Sequence, residues 1–145
     1  LQRMRRTVGD TGALLIGVDL EKSPARLEAA YNDGAGVTAR FNKNMLVRIN
    51  SELGGDANLD AFAHHATYNL EKSRVEMHLK SLNDQTLTVA GHKFRFAKGE
   101  TIHTENSHKF SIDGFQALAM AAGFSPARIW TDTNQLFSIH LFDAA

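Results

Sequence analysis

Ala13-Leu14-Leu15-Ile16-Gly17-Val18-Asp19 is the stretch on which the fold turns. Apolar and small residues run without a polar break up to Asp19, over a length that suits a strand better than a helix. A continuous run, as opposed to an alternating one, reads as a strand covered on both faces, as in parallel α/β sheets. Asp19 closes it at the carboxyl end, where open α/β sheets place their ligands; a simple turn aspartate is the other reading. Upstream, residues 1–8 form the end of a basic helix, cut off by Gly9-Asp10-Thr11-Gly12.

Downstream the pattern becomes helical. Ser23-Pro24 is a helix entry, with Ser as N-cap and Pro at the first helical position, and the short helix runs to about Asn32 before Asp33-Gly34 stops it. Residues 35–53 form the longest helical pattern: Val37, Phe41, Met45, Ile49 and Leu53 recur every four positions with Leu46 beside them, a core-facing stripe by default. Gly54-Gly55-Asp56 ends it, and Asn58 or Asp60 begins a short helix through His64. In Arg74-Val75-Glu76-Met77-His78-Leu79-Lys80 strict alternation then signals a half-buried strand. With residues 85–89 and 92–96 it makes a three-stranded antiparallel meander, turned by Asn83-Asp84 and Ala90-Gly91.

Residues 99–110 carry the densest set of bondable side chains. Glu105 and Ser107, two positions apart, point to the same side of an extended backbone about 7 Å apart and suit a small, hydrogen-bond-rich ligand. The plain alternative is a solvated Glu105 with Ser107 or Ser111 capping the next helix, whose apolar positions are Ile112, Phe115, Leu118, Ala119 and Ala122. Two strands, 127–131 and 136–142, close the chain as a hairpin around Asp132-Thr133-Asn134-Gln135.

Composition bounds the function classes. The 145 residues, 43% hydrophobic, suit one core; a formal net charge of +0 provides no overall field for nucleic acid or an anionic membrane. No cysteine is present, which excludes thiolate metal sites, disulfides and cysteine nucleophiles. With no long apolar run and no signal-like leader, a cytoplasmic protein with no membrane and no nucleic-acid partner is expected. The seven histidines include His64-His65, and His103 and His108 flank Glu105, but none has the i, i+4 spacing of a zinc helix, so no metal site is expected.

Several segments together resemble the histidine-specific methyltransferases of ergothioneine biosynthesis. These are Leu15 to Leu20, Ala30-Tyr31-Asn32-Asp33, Gly36 to Asn42 with Asn44, Glu76-Met77-His78-Leu79, and Gly99 to Phe110. The resemblance implies the C-terminal part of a Rossmann-like methyltransferase core (residues 1–22 and 111–145), with an inserted α+β substrate-binding region at 23–110 that contains the meander. It implies S-adenosylmethionine-dependent methylation of the α-amino group of L-histidine, giving hercynine. It places Tyr31 at the substrate carboxylate, Glu105 and Ser107 at the imidazole, and Phe41 and Met77 in the pocket wall; for these last two a core role stays open. It offers no catalytic residue, since the chemistry is an in-line displacement governed by positioning, and no residue is an evident general base.

The chain departs from the family pattern in lacking the glycine-rich loop and acidic ribose ligand. The resemblance therefore implies a fragment without its N-terminal half, with no cofactor bound to this chain and no activity in isolation. In methyltransferase order the terminal hairpin lies beside strand 13–19, whose other edge is open to pairing, including in a homodimer. The alternatives are a family member acting on another amino acid, such as a tryptophan derivative, or a non-catalytic interaction domain presenting the charged face of its sheet.

Overall fold

The computed structural model describes residues 1–145 as an α/β chain with antiparallel sheets. It divides into two compact units, Leu1–Lys22 with His108–Ala145, and Ser23–Ser107.

In the first unit, helix α1 (Gln2–Val8) precedes strand β1 (Ala13–Asp19), and helix α4 (Ile112–Met120) precedes the terminal hairpin of β7 (Phe124–Thr131) and β8 (Phe137–Ala144). The sheet order is β1-β8-β7, so β1 is an edge strand, paired antiparallel to β8 with Ala13 opposite Asp143 and Asp19 opposite Phe137. Ser111 caps α4 by accepting the Gly114 N–H on its Oγ. Phe115 and Ala119 of α4 pack with Val18, Phe124 and Phe142 into one core. The expectation that β1 is covered on both faces is corrected. Leu14, Ile16 and Val18 face this core, whereas Leu15 is 65% exposed on the open face of an antiparallel sheet. A continuous apolar run records the hydrophobicity of both faces but not whether this chain covers them.

In the second unit, helices α2 (Pro24–Tyr31) and α3 (Val37–Leu53) pack on one face of a sheet ordered β2-β3-β6. Its strands are β2 (Phe62–Asn69), β3 (Arg74–Ser81) and β6 (Thr101–His108). Gly54 ends α3 in the left-handed conformation, φ 60°, which a side chain would disfavour. The alternation of β3 appears as read: Val75, Met77 and Leu79 are buried, while Arg74, Glu76 and His78 line the other face. Two expectations fail. The helix through His64 is only a 3-10 turn at Leu59–Ala61, with Asn58 accepting the Asp60 N–H, and residues 62–69 form β2 because β3 supplies a full ladder of partners. The meander is likewise split. β3 has both edges filled, by β2 and by β6, with the Ser81 N–H donating to Glu100 O and the Gly99 N–H donating to Ser81 O. Strands β4 (Gln85–Val89) and β5 (His92–Phe96) therefore pair only with each other.

No helix is long and apolar enough to cross a membrane.

Candidate functional site

The site-bearing residues of the second unit are fixed by short-range capping and by a buried polar relay. Asp33, in the turn between α2 and α3, accepts the N–H groups of Val37 and Thr38 at 2.8 and 2.9 Å. The Thr38 and Val37 amides hold its pKa down to about 2, so the start of α3 carries a permanent negative charge where the helix dipole favours one. Asn32, at the C-terminus of α2, exchanges two hydrogen bonds with the backbone of Ala66 on β2. Together these anchor the position of Tyr31.

His64 completes the anchor. Its Nε2 lies 2.8 Å from the Tyr31 carbonyl, which only accepts, so Nε2 carries the proton and Nδ1 accepts from the Asn42 amide at 2.9 Å. The second amide hydrogen of Asn42 goes to the His78 carbonyl at 3.1 Å. Asn42 is 4% exposed in the middle of α3. Neither it nor His64 received a role from the sequence. The signal was available in Asn42, a polar residue one helical turn before the fully buried Leu46.

The Tyr31 hydroxyl meets Ser107 Oγ at 2.7 Å, joining α2 to β6. Glu105, two residues earlier, borders a groove of about 380 Å³ between α3 and β6, together with Phe41, Asn42, Met45, Ile49 and Thr104. Its carboxylate is exposed and belongs to none of the ion pairs of the chain. Phe41 is 65% exposed along this groove. The stripe read as core is thus mixed: Leu46 is buried, Met45 and Ile49 are partly buried, and Val37, Phe41 and Leu53 are exposed. Met77 does not line the groove; it is 2% exposed, packed with Leu27, Ala66 and Val75, and Tyr31 leans on that cluster. The structure brings Glu105 and Phe41 to one groove and Tyr31 to Ser107, and places Met77 beneath Tyr31.

In the first unit, the carboxylate of Asp19 is committed to Lys22 and to Lys109, the latter at 2.6 Å with its side chain fully buried. Burial raises the Asp19 pKa, and the two ammonium groups outweigh it and hold the pKa lowered. A carboxylate so engaged fits an internal ion pair and not a ribose acceptor. Nor does any glycine-rich turn follow β1, where Leu20, Glu21 and Lys22 lead to Ser23. Asp19 and the turn after β1 therefore do not themselves form a site for S-adenosylmethionine.

A two-unit α/β chain, with a groove walled by a helix and an edge strand and a polar clamp beside it, suits a small-molecule enzyme. The chain belongs to the family of histidine-specific, SAM-dependent methyltransferases, whose family model matches residues 1–144. It is 40% identical over 143 residues, 97% of the chain, to the histidine N-alpha-methyltransferase of Mycolicibacterium smegmatis. It is 42% identical over 131 residues to the protein of that name from Mycobacterium tuberculosis, and 30% identical over 137 residues to ergothioneine biosynthesis protein 1 of Neurospora crassa. These matches cover 89% and 92% of the chain. The chain spans less than half the length of each relative: 44%, 41% and 15%.

Proposed function

We propose that this chain is the C-terminal, substrate-recognising part of an S-adenosylmethionine-dependent histidine α-amino N-methyltransferase, which converts histidine to hercynine when complete. The reading joins the Ser23–Ser107 unit to an inserted substrate region and the other unit to the end of a Rossmann-like core. The cofactor site lies in the remainder of the polypeptide, so the isolated chain neither binds S-adenosylmethionine nor catalyses. A cytoplasmic location belongs to the same reading.

The observation that carries the substrate assignment is the pairing of an uncommitted carboxylate with a held hydroxyl. Glu105 faces the groove free of ion pairs, while Ser107 is held at 2.7 Å by Tyr31. With the substrate ring protonated, one N–H donates to Glu105 as a charge-assisted bond and the other donates to Ser107 Oγ, whose own hydrogen goes to the Tyr31 oxygen. The Tyr31 hydroxyl donates to the substrate carboxylate. Phe41 covers the apolar side of the ring, and Met77 supports Tyr31 from below. These groups position the α-amine, and positioning supplies much of the acceleration of an in-line displacement.

The test is mass spectrometry of the complete polypeptide given S-adenosylmethionine and a mixture of amino acids. Trimethylated histidine is expected; methylation of a different amino acid, or none, overturns the assignment. In calorimetric titrations Glu105→Ala should weaken histidine binding much more than cofactor binding, and equal losses would count against Glu105 as the imidazole partner. The open edge of β1 is proposed to meet a strand of the remaining polypeptide, or a second copy when the chain is alone. A strictly monomeric chain at all concentrations in light scattering would remove the second alternative.

A further inference from the structure

We propose that the face of the β2-β3-β6 sheet turned away from α2 and α3 carries a binding site for a divalent first-row transition ion of the zinc class, with Glu76, His78 and His103 as ligands. It stands independently of the histidine reading, because none of the three lines the groove.

The placement follows from strand periodicity. Glu76 and His78 lie two residues apart on β3 and share its polar face, and His103 comes to them from the neighbouring β6. One ligand atom from each lies within 4.8 Å of the others. The His78 and His103 rings stack at 4.7 Å between centroids. The closest contact of His78 with Glu76, Nε2 to Oε2, is 3.8 Å, too long for a hydrogen bond. Three groups able to bind one another through hydrogen bonds are therefore gathered without doing so, and an ion among them would engage all three.

The surroundings orient these ligands as outer partners orient metal ligands elsewhere. Glu76 Oε1 accepts from Arg74 Nε and Nη2 at 2.8 and 2.6 Å and from Asn69 Nδ2 at 3.1 Å, which leaves Oε2 directed to His78. His103 Nε2 donates to the Glu105 carbonyl at 3.2 Å, so its Nδ1 keeps a lone pair. His65 stands opposite His78 in the β2–β3 register, its ring 6.5 Å away, as a candidate fourth ligand. Two or three imidazoles with one carboxylate make a borderline donor set, suited to zinc, nickel or copper and poorly suited to calcium or magnesium. Arg74 neutralises part of the Glu76 charge and so limits the affinity. The ion would clip edge strand β6 to β3, two residues before Glu105.

The experiment is calorimetric titration of the 145-residue chain with zinc chloride, alongside His103→Ala, Glu76→Gln and, as control, His92→Ala on the β4–β5 hairpin. One ion per chain is expected. His103→Ala and Glu76→Gln should each weaken binding by about tenfold or more, and His92→Ala should leave it unchanged. His103 is exposed, so its removal leaves the core intact, and circular dichroism checks the fold of each variant. The melting temperature of the parent chain should rise with zinc, and that of His103→Ala should not. Failure to bind zinc, or binding and thermal shift that survive His103→Ala, overturns the site.

Discussion

Asn42→Leu is the perturbation that tests the polar relay most directly. Leucine keeps the branching of asparagine at Cγ, so no cavity opens, but its methyl groups are bulkier than the amide and add some packing strain, and both amide donors vanish. His64 Nδ1, at 2.9 Å, and the His78 carbonyl, at 3.1 Å, lose their partner in a place where Asn42 itself is 4% exposed. An acceptor left unsatisfied in the interior costs about 1–3 kcal/mol. The carbonyl retains a second lone pair and falls at the low end, so the two together come to about 2–4 kcal/mol, reduced by the apolar burial that leucine adds. Urea unfolding followed by far-ultraviolet circular dichroism measures this, with Asn44→Leu, an exposed position on the same helix, expected within about 0.5 kcal/mol of the parent. Asn42→Asp separates bonding from packing. It keeps the shape and replaces donors with acceptors, so its loss should equal or exceed that of leucine at neutral pH. If Asn42→Leu destabilises and Asn42→Asp does not, shape and not donation matters there; if neither moves stability by about 0.5 kcal/mol, the relay does not hold Tyr31 in place.

Three further outcomes follow from particular contacts. Asp33 has a folded pKa of about 2, below the unfolded value of about 3.9, so its contribution is whole above about pH 4 and is lost as pH falls towards 2; the stability difference between parent and Asp33→Asn should vanish over that range in acid titrations. His140 is 1% exposed, bonds Ser138 at 2.9 Å through Nε2, and has its pKa lowered by burial. The unfolded state therefore takes up the proton first, and the stability present above about pH 6.5 declines below it. His140→Phe should show a smaller loss than the parent between pH 7.5 and 5.5, the part due to His78 remaining in both because its pKa is lowered by burial as well. A Cβ at Gly12 would sit 2.1 Å from the Val8 carbonyl oxygen, whereas at Gly17 it would meet the tip of the half-exposed Phe137 ring at 2.6 Å. Gly12→Ala should cost about 1–3 kcal/mol in chemical denaturation and Gly17→Ala less than about 1, because a surface ring swings aside and a backbone oxygen does not.

What the sequence disclosed depends on the range of the interaction. Caps and alternation are local, so the Ser111 cap, the Gly54 stop and the buried face of β3 were legible in a few residues each. Strand β2 was not. Phe62-Ala63-His64-His65-Ala66 has neither clean alternation nor β-branched residues, and β3 alone makes it a strand. The meander failed for a related reason: turn residues announce a turn, but which edge the next strand takes depends on whether β6, arriving later, already occupies it. The stripe on α3 exposed a different limit. Periodicity specifies an apolar face and leaves open whether side chains or a groove lies against it, so Leu46 and Phe41 read alike and differ from 0% to 65% exposure. The Tyr31–Ser107 contact joins residues 76 apart and has no local signature; only the family resemblance had brought the two into one site.

The arrangement of β6 explains why a site can stand on an edge strand, which is usually the more mobile part of a sheet. Near its start the Ser81 backbone exchanges hydrogen bonds with Gly99 and Glu100; in its middle Thr104 Oγ1 donates to the Met77 carbonyl at 2.9 Å; towards its end Ser107 meets Tyr31. The last of these is secured in turn by Asn42, His64 and Asn32, which fix the C-terminus of α2. Glu105 therefore lies between two pinned positions while its own carboxylate stays uncommitted. That combination is what recognition requires: a held backbone spares the ordering cost when a ligand arrives, and a free acceptor has no internal bond to give up. On the proposed reading, Asn42 at the groove wall and His64 behind it act on binding through the strand they hold in place.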